Sequence, residues 1–492
     1  MGAILECDVL IVGAGPTGVT LGLLLAQSGV RTLVIDKSAE IYPLPRAAHI
    51  DHETMRTFQG LGLADAIAAT CRSSASYDFL SGGGEVLMRF DGLDQIGPGG
   101  WPVGNMIHQP SIEAILRNGA RDRTHFDLKN EWRFVSYEEH GEKVTAKVST
   151  PDGEVTVRSR YLIGADGARS PVREAAGIEL DDLQFDEEWL VIDAIVHDDE
   201  RLPTINLQIC DPARPTTCVL MGSGRHRWEF MLKPGETSEQ FLDDAFIAGL
   251  LKPWNVEGAM TLERKVIYRF NAKVAKDWRK GRVLLAGDAA HLTPPFAGQG
   301  LCAGIRDAAN LAWKLAAIIC ANAPDRLLDT YQTERDPHAR AFIQLAMMMG
   351  RTVCIADPEM AKARDAQMLA ARAAGAPAPS AAAPPLGDGC VLRNSAHAGD
   401  YFPQPTSADD SLSRLDDTLG SGAWLISRAA AASAGGQGLR HVSLDDLTLA
   451  PFRDALDHWL SSHDAVLVRP DRYIFGVGEA DALARAWREH LQ

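Results

Sequence analysis

Residues 7–36 limit the fold more than any other part of the chain. Cys7 to Val12 reads CDVLIV, apolar apart from Asp8, which is the pattern of a short buried strand. It runs into G-A-G-P-T-G, with Gly13, Gly15 and Gly18 in a G-x-G-x-x-G spacing. A helical run from Val19 to Gln27 follows and is stopped by Ser28-Gly29. A second strand, Thr32 to Ile35, ends on Asp36. Strand, glycine turn, helix, strand and acid in this order predict a parallel α/β sheet that binds a dinucleotide. Gly13 permits the tight turn, Gly15 lets backbone approach a pyrophosphate at the helix N-terminus, and Gly18 lets helix and strand pack closely. Asp36 can accept from ribose hydroxyls, a role that a turn without a ligand would leave unexplained.

Two later stretches repeat the theme of a buried strand ending on an acid. Tyr161 to Gly164 leads into Ala165-Asp166-Gly167, and Ser170 with Pro171 then starts a short helix. Arg282 to Leu301 reads RVLLAGDAAHLTPPFAGQGL. Its apolar Val283 to Ala286 predicts a strand, Asp288 stands at the tip, Pro294-Pro295 stiffens the loop, and Gly298 and Gly300 leave bare backbone where a helix begins. Acids and glycines at the C-terminal ends of buried strands are where α/β folds hold ligands.

Around this frame the texture is different. Tyr77 to Leu80 and Val86 to Phe90 predict a hairpin belonging to another sheet, and the stretch from Leu180 to Phe270 is rich in strand patterns. Amphipathic helices are expected over Thr54–Leu63, with Asp51 as N-cap, and over Ser111–Gly119, with Ser111 as cap. A long helix after Gly300 carries Ile305, Ala308, Ala312, Leu315 and Ile319 on one face, and a second runs from about Leu327 to Met349. An Ala/Pro-rich stretch from Ala370 to Pro385 reads as a linker. The domain expectation is 1–75, 104–178 and 275–350 for the dinucleotide unit, and 76–103 with 179–274 for a substrate unit. Residues 351–385 are a helix and linker, and 386–492 a separate small domain.

The net charge of −16 argues against nucleic-acid phosphates or anionic membranes as partners. No run is long enough for a membrane span, and the N-terminus lacks the basic and cleavage regions of a leader, which predicts a cytoplasmic protein. The eight cysteines are scattered without a C-x-x-C pair, so neither a zinc site nor a dithiol centre is expected. His49 and His52 form an H-x-x-H without further ligands, and no metal is expected there.

The three ordered motifs, at 13–18, 164–167 and 284–301, resemble those of single-component FAD-dependent aromatic hydroxylases of the para-hydroxybenzoate hydroxylase class. Pro45-Arg46-Ala47, Ile50-Asp51-His52-Glu53, Asp211-Pro212-Ala213-Arg214-Pro215 and Phe230 to Glu236 are closest to 3-(3-hydroxyphenyl)propionate hydroxylases. Leu467 to Asp471 is similar to the thioredoxin-like C-terminal domain of phenol and polyketide hydroxylases, without redox cysteines. The resemblance implies a Rossmann-like FAD-binding domain with an inserted β-rich substrate domain. It also implies a homodimer using FAD, NAD(P)H and O2 to hydroxylate a small phenol through a flavin C4a-hydroperoxide. A larger polyketide-type substrate, or a flavoprotein scaffold without turnover, are the alternatives.

Carried over residue by residue, the resemblance assigns the FAD to Gly13, Gly15, Gly18, Asp36, Lys37, Arg46, Gln109, Asp166, Gly167, Asp288, Gly298, Gly300 and Leu301. Pro294 is expected at the reaction chamber. A base that takes the phenol proton makes the ring a better nucleophile, and His49, Asp51 and His52 are candidates. Arg214 is expected to hold a substrate carboxylate.

Overall fold

The computed structural model describes residues 4–377, 383–407, 413–429 and 438–492; part of the expected linker, 378–382, lies outside these residues. At its centre is a six-stranded sheet. Its order is Arg279–Lys280, Val283–Leu285, Tyr161–Gly164, Val9–Val12, Thr32–Ile35 and Phe126–Lys129, parallel except for the first strand. Its middle strands are apolar and buried throughout because the sheet is covered, by the helix Pro16–Gln27 and by the strands Lys143–Thr150 and Gly153–Ser159 of a separate four-stranded sheet. This register sets the C-terminal ends of four strands side by side, and beyond them lie Gly13, Asp36, Asp166 and Asp288.

The helix after the glycine turn starts at Pro16, three residues before the apolar run, because proline needs no N–H partner in a first turn. The helix expected from Ser111 likewise starts at Gln109, with Pro110 in its first turn and His108 as the capping residue. Ser111 does not cap it; its hydroxyl meets His108 Nδ1 at 2.8 Å. Asp51 does cap the helix His52–Gly60, accepting from the Thr54 N–H.

An eight-stranded mixed sheet takes the hairpin Ser76–Ser81/Val86–Asp91 together with five strands from the 180–275 stretch. His291–Leu292, which follows the Asp288 turn, pairs onto its far edge, so the two sheets are joined next to that turn. Its longest strands, Leu180–Val196 and Met260–Ala275, extend well beyond the expected Trp189–Val196. The acidic run before Trp189 hides its alternation because the register slips between Asp182 and Asp186, and such a bulge breaks the period of two.

Two long helices, Gly300–Ala321 and Asp329–Val353, pack beneath the parallel sheet, and Pro358–Ala373 follows. The C-terminal residues form a four-stranded sheet ordered Leu439–Ser443, Ala423–Ser427, Ala465–Val468, Ile474–Gly478, closed by the helix Ala480–His490. This unit docks through buried charge. Arg469 bonds Glu334 and Asp471, Lys314 bonds Glu334, and Arg56 and Arg472 share Asp416. Four of the eight cysteines are buried thiols. Among the described residues, no single helix is long and apolar enough to cross a membrane.

Candidate functional site

One cavity of about 1100 Å3 runs from the glycine turn, between the two sheets, to the inner face of the eight-stranded sheet. At the first end the backbone is tightly constrained. Gly13 has φ +107°, and a Cβ there would lie 2.3 Å from the Ala165 oxygen. At Gly15, by contrast, a Cβ would meet nothing within 4 Å, so open space stands before the N-terminus of the helix Pro16–Gln27. The Asp36 carboxylate borders this space, its oxygens accepting from the Ala14 and Ser38 N–H groups, each at 2.8 Å. Lys37 lines the same wall.

Asp166 faces the cavity from the next strand. One oxygen accepts from the Val172 N–H at 3.1 Å; the other is buried without a partner, and burial pushes its carboxyl above the ordinary range. Gly167 follows it along the wall. Asp288 lines the cavity with its side chain open and has no hydrogen-bond partner among the described residues. Its turn is held from behind by the fully buried Asp307, which accepts from the Gly287 N–H at 3.0 Å and from Arg335 Nε at 2.9 Å, and bonds His291 at 2.7 Å. Gly298, Gly300 and Leu301 present the start of the 22-residue helix to the same space.

These residues suit a dinucleotide such as FAD. Helix-start N–H groups before open space fit a phosphate, while Asp36, Asp288 and the unpartnered Asp166 oxygen are acceptors for sugar and ribityl hydroxyls. Arg117 adds a donor, since its Nε is buried without a partner while its Nη2 donates to the Ala14 carbonyl at 2.8 Å.

Gln109 borders the cavity, but its amide holds the neighbouring loop. Its oxygen accepts from the Arg46 and Ala47 N–H groups and its nitrogen donates to Glu113 at 2.8 Å. Arg46 itself is exposed and lines the cavity. Glu113 and Arg117 are lining residues that the sequence reading missed. Gln109, Glu113 and Arg117 stand four residues apart on one helix face, and that spacing was the available signal.

The other end meets the 49–53 segment. His49 Nδ1 lies 3.2 Å from the Gly298 carbonyl. That oxygen can only accept, so Nδ1 carries the proton and Nε2 keeps its lone pair, with no hydrogen-bond partner among the described residues. Burial lowers the pKa of His49, favouring the neutral ring. His52 differs: its Nδ1 already accepts from the Gly99 N–H at 3.1 Å. Both Asp51 oxygens are also engaged, one capping the helix and one paired with Arg306. Burial would raise this carboxyl, but the Arg306 guanidinium holds it well below the usual range.

Two expected residues stand elsewhere. Pro294 is buried behind the wall, and it is Pro295, opening the turn Pro295–Ala297, that borders the cavity. Arg214 is not a lining residue; it makes a two-pronged pair with Glu236 at 2.6 and 2.7 Å, donates to the Met231 carbonyl, and stacks on Phe241. A guanidinium held this way is not available to a ligand in the cavity.

The wall opposite the 49–53 segment is the eight-stranded sheet, with Tyr77, Gln208, Thr217, Arg227, Glu229 and Tyr268 facing inwards. Phe296 packs edge-on against Phe185, Trp189 and Phe270, which makes an apolar floor.

The FAD binding domain family model matches residues 6–346. The "Probable NADH-specific resorcinol 4-hydroxylase" of Rhodococcus jostii strain RHA1 is 37% identical to this chain, over 96% of this chain and 92% of that one. The 3-(3-hydroxy-phenyl)propionate/3-hydroxycinnamic acid hydroxylase of Mycolicibacterium smegmatis is 39% identical over 73% of this chain and 63% of its own length. Among solved structures, the flavin-dependent monooxygenase PieE in complex with FAD and substrate superposes with a TM-score of 0.82 at 23% identity, covering 99% of each chain. Aklavinone-11 hydroxylase with FAD and aklavinone gives 0.78 at 25% identity over both full lengths.

Proposed function

The chain belongs to the FAD binding domain family of flavin-dependent aromatic hydroxylases, and on that premise we propose how its residues divide the work. It is an FAD-dependent monooxygenase of phenolic rings with NAD(P)H as co-substrate. The finer reading is that a single-ring phenol is hydroxylated and that NADH is the reductant. The observation that carries it is that one cavity of about 1100 Å3 reaches from the glycine turn to the sheet wall, and so has to hold both the dinucleotide and the ring. That sharing favours a small substrate over the polyketide-type alternative, and the NADH-specific relative favours NADH.

When bound, FAD would supply the redox and oxygen-transfer chemistry, with NAD(P)H as the reductant. The chain supplies the rest. The amides before Pro16 bind the pyrophosphate, Asp36 the ribose, Asp288 the ribityl hydroxyls, and the Gly298–Leu301 backbone the flavin edge. Phe296 and its aromatic neighbours exclude water. His49 Nε2 accepts the phenol proton, a role supported by its free lone pair and neutral ring, and Gly298 holds the imidazole by the other nitrogen.

Purified protein loaded with FAD should oxidise NADH faster with single-ring phenols and release a product carrying one added hydroxyl. Loss of FAD binding, or no stimulation by any phenol, would remove the reading. His49→Asn should lower kcat/KM by about 10²-fold, within the usual range for a general base, while keeping flavin. Asp288→Ala should weaken FAD binding by roughly tenfold or more, as expected for a lost hydrogen-bonded acid; flavin retention through gel filtration and dialysis would measure it.

We further read the C-terminal sheet as thioredoxin-like, supported by one parallel outer pair, two antiparallel pairs and the closing helix. The unit boundaries of the sequence reading belong to this proposal, as does the homodimer, which light scattering would show as twice the 53.2 kDa chain mass.

A further inference from the structure

The sheet wall of the cavity carries a row of polar groups whose hydrogen bonds are nearly all used internally. Gln208, Thr217 and Glu229 are direct neighbours across three antiparallel strands. The Thr217 hydroxyl donates to Gln208 Oε1 at 2.8 Å, Gln208 Nε2 donates to the Tyr77 hydroxyl, and Tyr77 donates to the Phe296 carbonyl at 3.3 Å. The row ends at Glu229. Its carboxyl is 7% exposed and borders the cavity, and it accepts no hydrogen bond among the described residues. Its nearest charge is Arg227 Nη1 at 3.6 Å, beyond hydrogen-bond length.

Arg227 does not satisfy Glu229 because it is used elsewhere. It bonds Asp193 and donates to the Pro45 and Arg46 carbonyls at 2.7 and 3.0 Å. Arg264, across the same face, is ion-paired with Asp193 at 2.8 Å and donates to the Tyr268 hydroxyl at 3.2 Å, while its Nε and Nη2 have no hydrogen-bond partner among the described residues. Arg306, on the helix side, is held between Asp51 and Glu53. Among the described residues on the substrate side, Arg227 and Arg264 therefore share Asp193, and Arg306 lies between Asp51 and Glu53. Arg46 and Arg117 act on Glu113, at the end of the cavity that contains Asp36.

A buried acceptor without a donor is costly unless a ligand supplies one. Beside that acceptor, the cavity-lining guanidinium of Arg227 is already committed to Asp193 and two backbone carbonyls, so the wall offers a ligand's carboxylate no ready partner. We propose that Glu229 is the specificity-determining residue of the substrate site, accepting a hydrogen bond from a second ring hydroxyl. It thereby selects uncharged dihydroxybenzenes over phenols bearing a carboxylate side chain. This rests on the phenol-hydroxylase reading of the site. Burial, partly opposed by Arg227, pushes the Glu229 carboxyl upwards, so a second carboxylate beside it would have to share its proton. Thr217 and Gln208 stand beside Glu229 across the sheet, in a row that leads to Tyr77.

The test uses the FAD-loaded full chain and the variants Glu229→Gln and Glu229→Asp. Three probes are titrated by flavin absorbance change and by NADH oxidation: 1,3-dihydroxybenzene, phenol and 3-(3-hydroxyphenyl)propionate. Wild type should bind the dihydroxybenzene most tightly. Glu229→Gln should raise its Kd and KM by roughly tenfold, the worth of one charge-assisted hydrogen bond, a larger factor than for phenol, and narrow the gap to the propionate. Glu229→Asp, which keeps the charge, should still discriminate against the propionate. Equal factors for all three probes in Glu229→Gln, or tighter wild-type binding of the propionate, would overturn the role of Glu229 while wild-type turnover still upheld the hydroxylase. A wild type that no phenol stimulates would overturn both. Unchanged flavin content in the variants controls for folding.

Discussion

Arg306→Met should unfold at markedly lower denaturant than wild type, with a loss of about 3–5 kcal/mol, the range for removing one partner of a buried ion pair. Arg306 is 5% exposed and binds three groups: Asp51, Glu53 at 2.7 Å, and Gln299 at 3.1 Å. Methionine fills much of the volume but leaves two buried carboxylates facing each other. Tyr473, from the C-terminal unit, donates to the same Glu53 oxygen at 3.1 Å, so the loss should also loosen the docking of that unit. The pH dependence gives a second readout. In wild type the folded pKa of Asp51 is depressed, so its contribution is present above its unfolded value and lost as pH falls through the folded one. In the variant, burial without the cation raises that pKa instead, so the deficit against wild type should shrink as pH is lowered from 7 towards 5. A loss below about 1 kcal/mol, the size of an exposed pair, would show that the network is dispensable.

Gly18→Ala should abolish flavin binding. A Cβ at Gly18 would stand 2.0 Å from the Gly13 carbonyl oxygen. That oxygen is backbone and cannot swing aside, because Gly13 is itself wedged against Ala165. The helix Pro16–Gln27 has to move off the strand, which costs about 1–3 kcal/mol or more as overpacking and should raise the FAD Kd at least 100-fold. Gly15→Ala separates fold from ligand, since its added methyl meets no protein atom within 4 Å. It should keep the melting temperature of flavin-free wild type and still lose flavin, because it occupies the space before the helix where the pyrophosphate is proposed to bind. Flavin absorbance per chain and thermal melting measure both; a Gly18→Ala protein that stays yellow would refute the packing argument.

The cofactor half of the cavity was readable because its information is local. Gly13 to Asp36, Tyr161 to Gly167 and Val283 to Leu301 each carry a strand, a turn and an acid within a few residues, and the parallel register then aligns them. Local patterns also found the Asp51 cap and the hairpin 76–91. They failed where the pattern was interrupted, as in the bulged strand Leu180–Val196, and where a side chain was free to choose its partner. Arg214 looked like a carboxylate clamp from its Pro-flanked loop, but Glu236, 22 residues on, takes both its prongs. Among His49, Asp51 and His52, the chain order cannot say which keeps a free lone pair; the Gly298 carbonyl, the Gly99 N–H and Arg306 settle that from distant segments.

By itself, then, the sequence determined a parallel α/β sheet with a dinucleotide cradle at its strand ends. Backbone conformation at glycines and the placing of acids after apolar runs are encoded in contiguous residues. Only the tertiary structure decided the substrate side. Glu229, Gln208 and Thr217 meet through sheet register, and Arg306 joins Asp51 and Glu53 across some 250 residues of chain. Whether a buried charge is free or neutralised depends on which partner folding brings within about 3 Å, and no local pattern carries that information.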